Sequence, residues 1–186
     1  YSKELNGNWH LITSKDELTT ETINRLNPEY IFFPHWSWLV PSEIFNNWPC
    51  VCFHTTDVPF GRGGSPLQNL IISGIRKTKV SALQMTKQLD AGPVYLKHSL
   101  ELKGSAKDIF KELALIVSKM ITEIVATKPI AINQSGDIVC FDRRTPQQSE
   151  MPNNLSPAKL YDFIRMLDAP SYQKEFIKQA DNTLEL

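Results

Sequence analysis

The apolar run Cys50-Val51-Cys52-Phe53 ends in a titratable ring, His54, and opens onto Thr55-Thr56-Asp57-Val58-Pro59-Phe60-Gly61-Arg62-Gly63-Gly64-Ser65-Pro66. A strand that delivers a histidine into a loop of hydroxyls, one carboxylate, one guanidinium and glycines is how open α/β sheets assemble sites. His54 is therefore the first candidate for proton transfer. The bland alternative is a buried histidine satisfied at a strand end. Asp90, within Leu89-Asp90-Ala91-Gly92-Pro93, is the second candidate. It could serve only its turn, or it could pair with His54, fixing the ring and favouring its cation. Arg62 could meet an anionic ligand or pin its own loop by bonding backbone carbonyls. His35, in Phe33-Pro34-His35-Trp36-Ser37-Trp38, follows another apolar run and could reach the same sheet edge. Phe32, Phe33, Trp36 and Trp38 could wall a flat heterocycle or simply pack the core. His10 and His98 read as ordinary strand or surface residues.

Spacing removes several other chemistries. Gly61-Arg62-Gly63-Gly64 has neither the phosphate-loop ending nor the dinucleotide glycine spacing. No Gly-x-Ser-x-Gly elbow is present. Cys52 and His54 share a strand face but stand about 7 Å apart at Cα, too far for a nucleophile pair. Cys50, Cys52 and Cys140 form neither a disulfide framework nor a zinc signature. No metal is expected. The 186 residues, 41% hydrophobic and 22% charged, suit one sizeable core with an appendage. Twenty basic and twenty acidic side chains cancel, so the footprint of a strong phosphate binder is missing. With no leader signal and no apolar run of membrane-spanning length, the expected compartment is a reducing cytoplasm, with no membrane partner.

The elements that must position these residues follow from the pattern. Trp9–Ile12 reads as a strand, and 16–26 as a helix capped by Ser14 or Thr19 and stopped by Asn27-Pro28. Tyr30–Phe33 is a buried strand, Pro41–Asn46 a short helix entered by proline, and 51–53 a strand. This rhythm predicts a parallel sheet with helices on its faces. Leu67–Ser73 is a helix closed by Gly74, and Lys79–Met85 and Val94–Leu100 are strands. Ser105–Lys128 carries a helical stripe of Ile109, Leu113, Ile116, Val117, Met120 and Ile124. Pro129–Ile132 and Ile138–Phe141 flank a turn and predict a hairpin. Residues 145–157 read as a linker, and Ser156–Asp168 as a last helix with Pro157 in its first turn.

Together these pieces resemble the catalytic domain of the N10-formyltetrahydrofolate-dependent formyltransferases. The motif runs Cys52-Phe53-His54, Thr56, Pro59, Arg62-Gly63 and Pro66, then Gly74, Thr78, Met85 and Asp90-Ala91-Gly92-Pro93. The interval from His54 to Asp90 is that of the family's motif pair. Phe33 to Pro41 resembles the segment walling the folate pocket, and Arg143-Arg144-Thr145-Pro146 and Leu160–Arg165 resemble the linker and following helix. The resemblance implies an α/β, Rossmann-like open twisted sheet with a C-terminal helical and hairpin extension. Residues 1–128 would be the catalytic domain and 129–186 the extension. It also implies formyl transfer to a primary amine, with His54, Asp90 and Cys52 as catalytic positions. Trp36, Ser37, Trp38, Leu39, Arg62, Leu89 and Gly92 would bind N10-formyltetrahydrofolate. Thr56, Arg62, Gly63, Arg143, Tyr161 and Arg165 would bind the acceptor.

Two departures stand out. Cys52 occupies the position of the family's asparagine, and a thiol is a weak donor to an oxyanion. The first strand of the family's sheet is missing before Tyr1, so an N-terminally truncated domain is expected. Balanced charge and a short stretch after Phe176 point to a small acceptor, an amino sugar carried on a nucleotide, with methionyl-tRNA as the alternative acceptor. A non-catalytic folate- or nucleotide-sugar-binding homologue is the reading from another class. A homodimer is left open.

Overall fold

The computed structural model describes residues 7–170, 172–179 and 182–185. Helix α1 (Thr20–Leu26) leads to strand β1 (Ile31–Phe33), helix α2 (Ser42–Asn47) and strand β2 (Cys50–His54). Strand β3 (Phe60–Gly63), helix α3 (Pro66–Ile72), and strands β4 (Lys77–Gln84) and β5 (Val94–Glu101) follow. Helix α4 (Ala106–Thr127), strand β6 (Val139–Phe141), a 3-10 turn (Pro146–Ser149), helix α5 (Pro157–Leu167) and the hairpin β7 (Phe176–Gln179) and β8 (Asn182–Glu185) complete it.

The main sheet has the order β1-β2-β4-β5. Only β1 and β2 run parallel; β2–β4 and β4–β5 are antiparallel. This corrects the all-parallel expectation. The turn carrying Asp90 is too short for the crossover that parallel neighbours need, so β4 and β5 fold back on each other. Alternation along β2 sends Val51 to one face and Cys50 to the other. Val51, Val80, Ala82 and Leu100 pack under α3, α4 and α5, while Phe33 and Cys50 pack with Ile23 of α1 and Ile44 of α2. Helices thus cover both faces, and the C-terminal end of β2 emerges between them.

Local chemistry explains the helix ends. Thr19 caps α1, its hydroxyl accepting from Thr22 N at 3.1 Å, so the helix starts at Thr20 rather than at 16. Ser105 and Asp108 form a reciprocal capping box on α4. Trp9–Ile12 is not a strand. The segment 9–12 runs as irregular chain, with Trp9 packed against one core cluster and Ile12 against the other. The expected hairpin over 129–141 does not form either. Val139–Phe141 pairs in parallel with β3, and Ile132 makes an isolated bridge to Val94. The presumed linker holds a 3-10 turn with a buried Ser149, and Met151 N donates to Phe176 O at 2.8 Å.

An ion cluster of buried Asp162 and Arg165 with a half-exposed Arg76 fastens α5 to the sheet end. Asp162 accepts from Arg76 Nη1 and Nη2 at 2.6 and 2.9 Å and from Arg165 Nε at 2.7 Å. Arg165 Nη1 donates to Leu102 O and Gly104 O, both at 2.9 Å. Burial disfavours the Asp162 carboxylate, but the two guanidiniums outweigh it and hold the group below its ordinary value of 3.8. Asp162→Ala would strand Arg165 and is expected to destabilise the fold by about 3–5 kcal/mol. The folded-state value lies below the unfolded one, so this stabilisation is complete above the ordinary carboxylate range and is lost as pH falls through the folded value. Urea midpoints measured from neutral pH to below about pH 4 should fall less steeply for Asp162→Ala than for the parent.

Candidate active site

β2 carries His54 to the sheet edge, where Nε2 lies 2.7 Å from Gly61 O and Nδ1 lies 3.5 Å from Asp90 Oδ2. A carbonyl oxygen only accepts, so Nε2 carries a proton here and Nδ1 is the nitrogen turned to the carboxylate. Asp90 Oδ2 also accepts from Gly63 N at 3.0 Å. Both contacts fall on Oδ2, leaving Oδ1 without a hydrogen bond among the described residues. The side chains of His54 and Asp90 are only 8% and 11% exposed, which strengthens any charge interaction between them.

The glycine-rich run is built into the fold as a strand. It is β3, and its glycine serves β6. A Cβ on Gly63, whose φ is +103°, would stand 2.4 Å from Phe141 O. Arg62 is buried, donating from Nε and Nη2 to Gln134 Oε1 at 3.1 and 2.7 Å. Its guanidinium thus pins the loop, through a side-chain amide rather than backbone carbonyls. Gln134 Nε2 in turn donates to Asp90 O and Gly92 O, each at 2.8 Å. Thr56 is fully buried and donates to Gly61 O at 3.3 Å, while its own carbonyl accepts from Ser81 Oγ at 2.7 Å.

Beside Asp90 lies a cleft of about 380 Å³ walled by Phe33, Trp36, Trp38, Leu39 and Phe53, with Cys52 and Asp90 among its lining residues. Trp36 stands edge-on to Trp38 at 4.9 Å and to Phe33 at 5.7 Å. Trp36 Nε1 is buried without a partner among the described residues. Burial first, then the charge of Asp90, push the Cys52 thiol up to about 12, so Cys52 stays a neutral thiol. Its Sγ lies 3.8 Å from Leu83 O. His35 also lines the cleft, and burial lowers its pKa from the ordinary 6.5.

Not every expected residue converges here. Ser37 and Leu89 are exposed and do not line the cleft. Gly92 packs on β4, where a Cβ would lie 1.8 Å from Gln84 O. Arg143 is exposed and does not line the cleft. Tyr161 and Arg165 border a separate cleft of about 480 Å³ between α5 and the start of α4, with Arg165 committed to Asp162. Gln134 was not legible in the sequence, because a polar residue in a turn has no distinguishing pattern. No group of three or more His, Cys, Asp or Glu is arranged to hold a metal among the described residues. No helix among them is long and apolar enough to cross a membrane.

A helix-covered mixed sheet with a His–Asp pair beside an aromatic cleft defines an α/β acid–base site. The chain belongs to the formyltransferase family, as its likeness to a solved member shows. It is 50% identical to methionyl-tRNA formyltransferase from Clostridium thermocellum, with a TM-score of 0.91 over 94% of this chain and 77% of that one. It is 26% identical over 142 residues to methionyl-tRNA formyltransferase of Rickettsia felis, covering 73% of this chain and 47% of that protein. The chain spans about half the length of the curated relatives it matches. A sugar N-formyltransferase from a Shewanella species shares the fold, with a TM-score of 0.72 at 13% identity over 90% of this chain and 73% of that one. Residues 146–186 match the family model described as "Methionyl-tRNA formyltransferase, C-terminal domain". The stretch read as linker and helix is therefore similar to a domain of that family, and it gives no ground for a small acceptor.

Proposed function

We propose that this chain transfers the formyl group of N10-formyltetrahydrofolate to the amine of methionyl-tRNA. The observation that carries the chemistry is the His54–Asp90 contact beside a cleft of flat aromatic walls. Such walls suit the ring system of a reduced folate. The acceptor amine adds to the formyl carbon and must lose a proton, which the free Oδ1 of Asp90 can accept directly or through water. The folate nitrogen leaves as the new amide forms and must regain a proton, which His54 can return. Asp90 also orients the ring through Nδ1, while Gly61 O holds Nε2. In this reading Trp36, Trp38 and Leu39 bind the folate, Cys52 faces the developing oxyanion, and His54 acts on the proton from beside the cleft.

The acceptor follows from the 50% identity with the Clostridium thermocellum protein and from the C-terminal match, both to proteins named for methionyl-tRNA. These favour tRNA over the nucleotide-linked amino sugar that balanced charge suggested. Neutral net charge remains compatible with tRNA, since phosphate contacts depend on local clusters of Lys and Arg rather than on the sum. The test is a side-by-side assay with a formyl-folate donor and either methionyl-tRNA or an amino-sugar nucleotide. Formylation of methionyl-tRNA at a higher kcat/KM is expected. Formylation of the sugar nucleotide alone would overturn the acceptor, and transfer to neither would overturn the reaction.

A further inference from the structure

We propose that Gln134 is a positioning residue for Asp90, an assignment that rests on the formyl-transfer reading above. Asp90 has φ of +52°, a left-handed backbone that Asp adopts more readily than most non-glycine residues but still at a cost its surroundings must offset. Beside the backbone bonds Ala91 N to Gln88 O and Gln84 N to Pro93 O, one side-chain amide holds this turn. Gln134 Nε2 donates to Asp90 O and to Gly92 O, each at 2.8 Å, and so clamps the turn from both sides of Ala91. Its Oε1 is held from behind by Arg62 Nε and Nη2.

The contacts close a ring. Arg62 holds Gln134, Gln134 holds the backbone of Asp90, and Asp90 Oδ2 returns to Gly63 N, the residue after Arg62. The segment bearing Gln134 is anchored on both sides, by the Ile132–Val94 bridge and by the β3–β6 pairing. The Asp90 carboxylate is therefore aimed at His54 by a frame that includes two strands. Only a primary amide can accept from a guanidinium at one end and donate twice at the other. Gln134 does not line the cleft, so its effect reaches the reaction through Asp90.

Two substitutions separate this role from simple packing. Gln134→Glu keeps the acceptor for Arg62, now as a stronger charge-assisted bond, but cannot donate to the two carbonyls. Gln134→Ala removes both ends. Each is expected to lower kcat about 10²-fold, as small misplacements of a reacting group do, with KM for the formyl donor changed by less than about twofold. On an Asp90→Ala background neither should cost anything further. Hydrogen exchange at the Gly63 amide, which is bonded to Asp90 Oδ2, should accelerate in both variants while their urea midpoints stay cooperative. Unchanged kcat with unchanged Gly63 protection would overturn the proposal, as would an equal loss on the Asp90→Ala background. If the parent protein transfers no formyl group, the functional reading fails and the exchange arm decides alone: lost Gly63 protection upholds the positioning role, and retained protection overturns it.

Discussion

His54→Ala lowers the single-turnover rate of formyl transfer by about 10²–10⁴-fold, the range lost when a positioned acid–base group is removed. The fold should tolerate the change. Gly61 O, the acceptor of Nε2, keeps the hydroxyl of Thr56 at 3.3 Å, so no buried carbonyl is orphaned. Asp90 Oδ2 keeps Gly63 N at 3.0 Å and stays in position. The urea midpoint should therefore move little, while the rate collapses. His54 does not line the cleft, so the affinity for the formyl donor should also survive, and the loss should appear in kcat rather than KM. The comparison needs only donor titrations and one denaturation curve for each protein. A rate within about threefold of the parent would remove His54 from the mechanism and leave Asp90 as the sole proton carrier.

The parts of this site that were readable in the sequence share a physical cause. β2 announces itself because an apolar run must be buried, and its polar terminus must then emerge at the sheet edge. The stripe on α4 is legible for the same reason, as are Thr19 and Ser105, whose hydroxyls satisfy the first amides of their own helices. Local rules suffice there. The partnership of His54 with Asp90 stood open on the residues alone, beside a plain turn role for Asp90, and the family resemblance favoured it, since the pairing depends on how two distant loops meet.

What stayed hidden is long-range. Phe60–Gly63 shows no alternation, because glycines leave nothing to alternate; the strand exists because Phe141 approaches where a side chain would clash. The runs on either side of Gly136 have a hairpin's pattern, yet β6 takes the open edge of β3 instead. Pairing of that kind is decided by which edge is available, not by intrinsic propensity. Arg165 is a second long-range case. The family resemblance placed it among acceptor-binding residues, whereas here Asp162 and two carbonyls occupy three of its donors.

Cys52→Asn is expected to raise kcat by up to about 10²-fold, the reverse of the loss seen when an oxyanion donor is deleted. Formyl transfer passes through a tetrahedral species whose oxygen carries charge, and the cleft must stabilise that oxygen. Cys52 lines the cleft beside Asp90, in the place where the family resemblance expects an asparagine. A thiol pushed up to about 12 by burial and by Asp90 remains neutral, so it adds no negative charge to repel the oxyanion. It is nevertheless a weak donor, and its hydrogen is directed to Leu83 O at 3.8 Å. An asparagine amide has two hydrogens: one can satisfy Leu83 O and the other can face the oxyanion. The position is partly exposed at the cleft, which leaves room for the extra atoms. Because the new bond is strongest when the charge is fully developed, the gain belongs in kcat, with KM nearly unchanged. Cys52→Ser, with a single better donor, should fall between the two. Should the parent show no turnover while Cys52→Asn acquires it, the natural chain would be a binding homologue that lost catalysis at this one position. Should the parent turn over and neither substitution raise its rate, the oxyanion is held by a donor other than the side chain at position 52.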